Sequence, residues 1–235
     1  GRAMPQERIR NLQIWLNSKG ASLLVDGVPG PATRAAVIET FRNRHAPAIS
    51  AGQWLAAADR LKCSVQQLRA VAAAESGAAG WDRAGLLACL WERHYLWRRV
   101  RVAVPMLSNP APGGYTQDAD GDGINDSWEK LADAALRFGF NIAAECASFG
   151  RFQVMGAHWQ ALGYSSVADM IWQLSRHESA HLEQLVRFIE VNRLQAALRK
   201  INGNPAQCVD FARGYNGKGQ SGYDGKLAAA FRRLG

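Results

Sequence analysis

Long apolar runs are missing from this chain of 235 residues. No stretch approaches the roughly 20 apolar residues that a membrane-spanning helix needs. The N-terminus, GRAMPQERIRNLQIW, has no apolar signal core. We therefore expect no membrane span, and a protein made in a cytoplasm without an export signal of its own.

Cysteine and methionine are also scarce. The four cysteines lack CxxC spacing, which argues against a zinc ribbon or a thioredoxin-type site, so we expect free buried thiols. Four methionines offer no Met-rich groove of the kind that calcium sensors expose. Strand-like segments are few, and residues 86–91 are the best candidate. These features predict a mainly helical protein with a small β element.

The composition is otherwise that of a globular protein, with 48% hydrophobic and 20% charged residues. A formal net charge of +8 favours a polyanionic partner, such as nucleic acid, anionic lipid or bacterial cell wall. Charge does not choose among these partners, and nothing in the sequence indicates an oligomeric state.

Residues 1–45 contain a compact helical unit. Ile9, Leu12 and Leu16 recur at helical spacing, and Pro31 can open a second helix. The segment resembles the small helical peptidoglycan-binding module of bacterial and phage wall enzymes. The matching positions are Leu12-Gln13, Gly20, Asp26-Gly27, Gly30-Pro31-Ala32-Thr33, Ala36-Val37 and Phe41. The resemblance implies a wall-binding domain.

A linker, APAISAG, is predicted at residues 46–52, before a larger domain at 53–235. This boundary predicts that wall binding is separable from the function of the larger domain. Ser50 can cap one helix, and Ser64 with Gln67 forms a capping box for the next. Later helices are predicted at about 127–138, 167–191, 205–213 and 223–234.

Glu75 is the first candidate for chemistry. It ends the apolar helix AVAAAESG, and Gly77 is placed to terminate that helix. A carboxyl at a helix C-terminus meets the negative end of the helix dipole, and apolar neighbours remove water from it. Both effects raise its pKa, as a general acid for glycoside cleavage requires. The same local sequence also fits an exposed glutamate at a helix end.

Several motifs in residues 53–235 resemble the lysozyme-like superfamily, and more closely the N-acetylmuramidase domain of phage endolysins. These motifs are ESGAAGW, LWERHYLW, ASFGRFQVMGAHWQALGY, LVRFIEVNRL and FARGYNGKG. The resemblance implies a lysozyme-like α+β domain in which Glu75 is the catalytic acid. It also implies a saccharide cleft whose residues are Glu92, Ser148, Gln153, Tyr215 and Asn216.

Glu92 is the second catalytic candidate, because it lies in the matching WERH motif. By its local sequence it could equally be a surface ion-pair partner of Arg93 or Arg98. The family implies hydrolysis of peptidoglycan between N-acetylmuramic acid and N-acetylglucosamine, with no catalytic cofactor and no nucleic-acid partner. Such an endolysin reaches the wall after the host membrane has been permeabilised. Three alternatives stay open: a lytic transglycosylase, a zinc endopeptidase and a non-catalytic wall-binding protein.

The zinc alternative depends on HESAH, residues 177–181. H-E-x-x-H on a helix places two imidazoles on one face. No further histidine follows at metzincin spacing, and Glu190 lies close for a third ligand. We therefore interpret HESAH as a solvated helix face.

The stretch DADGDGINDSWE, residues 118–129, matches the oxygen-rich pattern of a calcium loop. The preceding SNPAPGGYTQ is rich in Pro and Gly, so the incoming helix of an EF-hand is missing. A solvated acidic turn is the alternative. We predict a structural Ca²⁺ site rather than a sensor. Its ligands are expected to be Asp118, Asp120, Asp122, Ile124 (by its backbone carbonyl), Asp126 and Glu129.

Overall fold

A computed structural model describes residues 4–219 and 221–235, and helices dominate it. The helices are α1 Pro5–Ser18, α2 Pro31–Glu39, α3 Ala51–Leu61, α4 Val65–Glu75, α5 Arg93–Val100, α6 Asp126–Phe138, α7 Phe140–Glu145, α8 Val167–Arg176, α9 Glu178–Val191, α10 Gln195–Lys200, α11 Val209–Asn216 and α12 Tyr223–Arg233. The strands are β1 Cys89–Trp91, β2 Ala147–Phe149 and β3 Val154–Met155, and short 3₁₀ turns occupy Gly156–His158 and Pro205–Cys208. The predicted mainly helical class, with a small β element, is confirmed.

The N-terminal unit is organised around one buried polar side chain, Gln13. Its amide nitrogen donates to Asp26 at 2.9 Å and to Thr33 at 3.1 Å. Its carbonyl oxygen accepts from the backbone N–H groups of Asp26 and Gly27. Gly27 has a φ of +73°, which favours glycine. The Gln, Asp-Gly and Thr positions of the module pattern therefore form one hydrogen-bond network that joins α1 to α2.

The N-terminal unit shares a hydrophobic core with the rest of the chain. Phe41 is fully buried and stacks on Trp128 of α6, with ring centroids 5.1 Å apart. Phe140 of α7 stacks on Phe41 as well, at 6.0 Å. On the surface, Arg34 of α2 pairs with Asp133 of α6 at 2.6 Å. The N-terminal unit is therefore packed against α6 and α7, while the separability of wall binding at the linker stays a prediction.

Local capping signals agree with the observed helix starts. Ser50 and Ser64 both form complete capping boxes, with Gln53 and Gln67. Because Ser50 caps α3, the irregular part of the predicted linker ends there. The helix predicted over 167–191 is broken at His177, whose extended backbone separates α8 from α9. The last segment, predicted over 223–234, is observed as α12.

The small sheet has three antiparallel strands in the order β1-β2-β3. Only the C-terminal half of the predicted strand at 86–91 is in it, since β1 begins at Cys89. Leu90 is opposite Ser148, and Ser148 is opposite Met155. A second hydrophobic core gathers α3, α4, α9, α11 and α12 beside the sheet. No helix in the described residues is long and apolar enough to cross a membrane.

The described cysteines are free, as expected. Cys89, Cys146 and Cys208 are buried, whereas Cys63 is half-buried. Burial raises the pKa of the Cys89 thiol well above its ordinary value. These thiols pack as small apolar groups.

Candidate active site

Glu75 is the last residue of α4 and is only 7% exposed. The helix that ends at Glu75 is rich in alanine. Burial raises the pKa of Glu75 from 4.5 to about 7. A buried carboxyl with such a pKa holds a proton near neutral pH, which is the property of a general acid.

The C-terminal end of α11 meets Glu75. The Asn216 amide nitrogen donates to the Glu75 Oε1 at 3.4 Å, and this hydrogen bond opposes part of the rise in pKa. Tyr215 packs against Phe188, with ring centroids 4.7 Å apart, and against Phe211 at 5.8 Å. Burial, and the nearby charge of Glu75, raise the pKa of the Tyr215 hydroxyl. The structure thus brings Glu75, Tyr215 and Asn216 together.

The Gln153 side chain lies next to Gly77, in the turn that follows Glu75. Its side chain accepts a hydrogen bond from Ser148 at 2.9 Å and donates to the carbonyl of Gly150 at 2.9 Å. A Cβ at Gly77 would lie 3.2 Å from the Gln153 Cγ, so a larger residue there would press on Gln153. Gln153 also has a φ of +50°, a strained conformation for a residue other than glycine. The Gln153 side chain thus lies close to the turn that follows α4.

Arg151 is a residue that the sequence analysis missed. Its carbonyl accepts the N–H of Gly77 at 2.9 Å, and its guanidinium Nε donates to the Ser76 hydroxyl at 2.8 Å. These bonds tie the Glu-Ser-Gly turn to the FGRFQ motif. Its place inside the FGRFQ motif could have identified Arg151 as a candidate site residue from the sequence.

Glu92 follows β1 directly and stands immediately before α5, with no capping hydrogen bond from its side chain. Its carboxylate accepts a hydrogen bond from the Tyr115 hydroxyl at 2.8 Å, and the His94 Nδ1 lies 3.3 Å away. The alternative of an ion pair with Arg93 or Arg98 is wrong, since no such pair occurs among the described residues. Arg93 instead donates to backbone carbonyls, at 2.9 Å and 3.3 Å.

Glu92 makes no hydrogen bond to Glu75, Gln153 or Asn216 within the described part of the chain. It is connected to them through the sheet, because Leu90 of β1 is paired with Ser148 of β2. Tyr115 had no recognisable signal, since it lies in a Pro- and Gly-rich loop.

The interpretation of HESAH as a solvated helix face is wrong. His181 is fully buried, and its ring packs on Trp81 with centroids 4.8 Å apart. Its Nδ1 accepts the N–H of Arg151 at 3.0 Å, and its Nε2 donates to the Leu174 carbonyl at 2.7 Å. Both ring nitrogens are therefore occupied. His177 lies outside the helix, so the two imidazoles do not share a helix face.

The acidic loop at residues 118–129 folds its carboxylates towards one another. Oxygens of Asp118, Asp120 and Asp126 lie within 4.8 Å of one another, as do those of Asp120, Asp122 and Glu129. Burial, followed by the neighbouring Asp122, raises the pKa of Glu129 to about 7. This oxygen-only donor set fits a hard cation such as Ca²⁺.

The acidic loop lacks an incoming helix, as the sequence predicted. No helix precedes it among residues 101–125, and α6 begins at Asp126 with Asn125 as its cap. Asp126 is buried and accepts the N–H of Ala119 at 2.9 Å. Glu129 lies 3.4 Å from the guanidinium of Arg34, a contact that connects the loop to the N-terminal unit.

Comparisons with known proteins agree with this geometry. A family model described as "Muramidase: N-acetylmuramidase" matches residues 64–235. No curated protein matches the chain. Among solved structures, the Burkholderia AP3 phage endolysin is 32% identical in sequence, with a TM-score of 0.67. The similarity covers 96% of this chain and 94% of that chain, so it includes most of the N-terminal unit.

Proposed function

Because the chain belongs to the N-acetylmuramidase family, we propose that it hydrolyses peptidoglycan between N-acetylmuramic acid and N-acetylglucosamine. The family makes it a glycoside hydrolase, and the similarity to a phage endolysin supports degradation of the bacterial wall during lysis. In this proposal the protein acts on the wall once the host membrane has been opened. The observation that carries the proposal is the buried carboxyl of Glu75, with its pKa of about 7.

In this mechanism Glu75 is the general acid. It transfers its proton to the glycosidic oxygen as the bond to the anomeric carbon breaks, and positive charge develops on the sugar ring. Glu92 either activates a water molecule or stabilises that charge as a carboxylate. Gln153, Tyr215 and Asn216 would line the saccharide cleft around Glu75, with Ser148 holding Gln153 in place.

Mass analysis of fragments released from purified peptidoglycan tests the proposal. Hydrolysis leaves a reducing N-acetylmuramic acid end, whereas a lytic transglycosylase leaves an anhydro end that is lighter by one water. Reducing ends on N-acetylglucosamine would instead mean that the other glycosidic bond is cut. A preparation that releases no fragments would overturn the proposed activity.

The N-terminal unit is proposed to bind the wall and so raise the local concentration of the catalytic residues at their substrate. Its Gln13 network, which uses the motif positions of the module, supports this role. Because this unit shares a core with α6 and α7, we expect it to keep a fixed orientation relative to the catalytic residues.

The acidic loop is proposed to bind one structural Ca²⁺. The side chains would come from the aspartates and Glu129, with the Ile124 carbonyl completing the set. Neutralising these charges would order the entry to α6, whose Trp128 packs on Phe41. The ion would therefore stabilise the core rather than take part in bond cleavage.

A further inference from the structure

Two neighbouring depressions lie near the place where the N-terminal unit contacts α8, and residues of that unit line only the smaller one. One is a groove of about 530 Å³ between α3, α8 and α9. The other is a cavity of about 290 Å³ formed by the end of α1, the following loop and α2. Arg176, the last residue of α8, lines both of them. Glu75 lines neither, so they are separate from the candidate active site.

A tryptophan with two cations lies at this junction. The Arg176 guanidinium is 4.2 Å from the centroid of the Trp172 ring, and the Lys19 ammonium is 5.1 Å from the same ring. Lys19 belongs to the N-terminal unit, where it caps the end of α1. Lys19 and Arg176 are 157 residues apart in the sequence. Both residues line the smaller cavity, because the N-terminal unit packs against α8.

The other arginines here are already neutralised. Arg42 pairs with Glu39 at 2.7 Å, and Arg60 pairs with Glu183 at 2.8 Å and Glu190 at 2.6 Å. Among residues 4–219 and 221–235, no carboxylate lies within 4.0 Å of the charged nitrogens of Lys19. The same holds for Arg176. The junction therefore carries uncompensated positive charge, which is costly unless an anion or water offsets it.

Arg176 also has donor capacity to spare. Its Nη2 donates to the carbonyls of Thr40 at 3.2 Å and Arg42 at 2.9 Å, and its Nε donates to the Ser175 hydroxyl at 3.0 Å. These bonds hold the guanidinium in place. Its Nη1 makes no hydrogen bond to the described residues, so it is available to a ligand in a pre-oriented position.

We propose that Lys19 and Arg176 form a binding site for the free carboxylates of peptidoglycan stem peptides. The assignment rests on the proposed function, because the substrate strand carries these acidic peptides at regular intervals. A carboxylate in the smaller cavity would face both cations, since both residues line it, and charge-assisted hydrogen bonds are among the stronger ones in proteins. The groove beyond Arg176 offers the Gln53 amide nitrogen, the Gln173 carbonyl oxygen and the Ser179 hydroxyl to the amides of the peptide, since the Gln53 oxygen and the Gln173 nitrogen already bond Ser50 and Asp169. The stem would thus be held by both parts of the chain while the strand is cut elsewhere.

Direct binding of a soluble stem peptide tests the site, using the full chain with Glu75→Gln so that nothing is cleaved. Calorimetry should show that Lys19→Glu weakens binding at least ~10-fold, because an attractive charge becomes repulsive. Lys19→Arg should restore most of the affinity. Lys62→Glu is the matched control, since Lys62 is exposed and also caps a helix, α3. Equal affinities for Lys19→Glu and Lys62→Glu would overturn the site.

Competitors identify the ligand. The same peptide with amidated carboxyls should bind at least ~10-fold more weakly, since the charge-assisted bonds are lost. Inorganic phosphate should compete only weakly, and displacement by phosphate at equal concentration would show a general anion site instead. Fragment release by the chain with Glu75 intact is measured separately. Peptide binding without release would count against the muramidase proposal alone, whereas release without Lys19-dependent binding would count against this site alone.

Discussion

Asn216 and Glu75 are 141 positions apart, yet the Asn216 amide nitrogen lies 3.4 Å from the Glu75 Oε1. Burial of Glu75 favours its protonated form, and the hydrogen bond from Asn216 favours the carboxylate. The balance leaves the pKa of Glu75 near 7. With a pKa near 7, the Glu75 carboxyl is partly protonated at neutral pH and can donate its proton during catalysis.

Glu75→Gln should reduce turnover on purified peptidoglycan by at least ~100-fold, the usual contribution of a general acid. Glutamine has nearly the same shape but cannot supply the proton, so sedimentation with insoluble wall should be unchanged. Turnover by the parent should fall as pH rises above about 7, because Glu75 then loses its proton. A variant that keeps near-normal turnover would remove Glu75 as the acid.

The same variant has a predicted stability signature. The pKa of Glu75 is raised from 4.5 to about 7, so the folded state binds this proton more tightly than the unfolded state does. That contribution is fully present below pH 4.5 and is lost as pH rises through about 7. The melting temperature of Glu75→Gln minus that of the parent should therefore be larger above pH 7 than near pH 4.

Glu92→Gln should also lower turnover by ~100-fold if its carboxylate activates water. Tyr115→Phe, which removes the 2.8 Å hydrogen bond to Glu92, should cost about tenfold through loss of positioning. Rates on a soluble glycan and product masses measure both effects. Full activity of Glu92→Gln beside an inactive Glu75→Gln would favour a single-glutamate mechanism and an anhydro product.

Phe41→Ala should destabilise the whole chain by about 3–5 kcal/mol, the usual cost of truncating a buried phenylalanine. Its ring stacks on Trp128 and Phe140, so the cavity would open between the N-terminal unit and α6 and α7. Denaturant unfolding measures the change. Leu24→Ala is the control, because Leu24 is 78% exposed and should have little effect. A loss confined to wall binding, without a change in stability, would mean that the unit folds independently.

His181→Ala should destabilise the fold because it leaves the Arg151 N–H and the Leu174 carbonyl without partners. Each unsatisfied buried group costs about 1–3 kcal/mol. The pKa of His181 is lowered from 6.5 to about 4 by burial, so its contribution is complete above pH 6.5 and is lost as pH falls through 4.

Urea unfolding of the parent and His181→Ala should therefore converge as the pH approaches 4. His177→Ala is the matched control, since His177 is exposed and should leave stability unchanged at either pH. Loss of activity in both histidine variants, with an intact fold and bound zinc, would revive the peptidase alternative.

Millimolar Ca²⁺ should raise the melting temperature, and Asp120→Ala with Asp122→Ala should abolish the rise. A lone loop without an incoming helix should bind at ~10⁻⁴–10⁻³ M. Millimolar Ca²⁺ is then at most about a tenfold excess over the dissociation constant, which stabilises the fold by about 1.4 kcal/mol. The effect should weaken below pH 7, where protonation of Glu129 competes with the ion. Asp59→Ala is the control, and calorimetry without calcium uptake would leave only an acidic turn.

Local signals account for what the sequence predicted well. Ser50 and Ser64 satisfy backbone N–H groups within their own first turns, so their helices can be read from a few adjacent residues. The short helices α7 and α10 and the strands β2 and β3 escaped notice. A six-residue helix or a two-residue strand carries too little periodicity, and strand pairing depends on residues far apart in the chain.

The sequence by itself determined the helical class, the family and the position of Glu75 at the end of an apolar helix. Only the tertiary structure decided which polar residues are buried. HESAH looks solvated because its residues are polar, yet the His181 ring is buried beside Gly80 and Gly150. A Cβ at either glycine would lie 3.0 Å from an atom of the ring, so only glycine leaves room for it. The packing of Phe41 on Trp128 was likewise invisible, because an apolar pattern shows which face is buried but not which partner covers it.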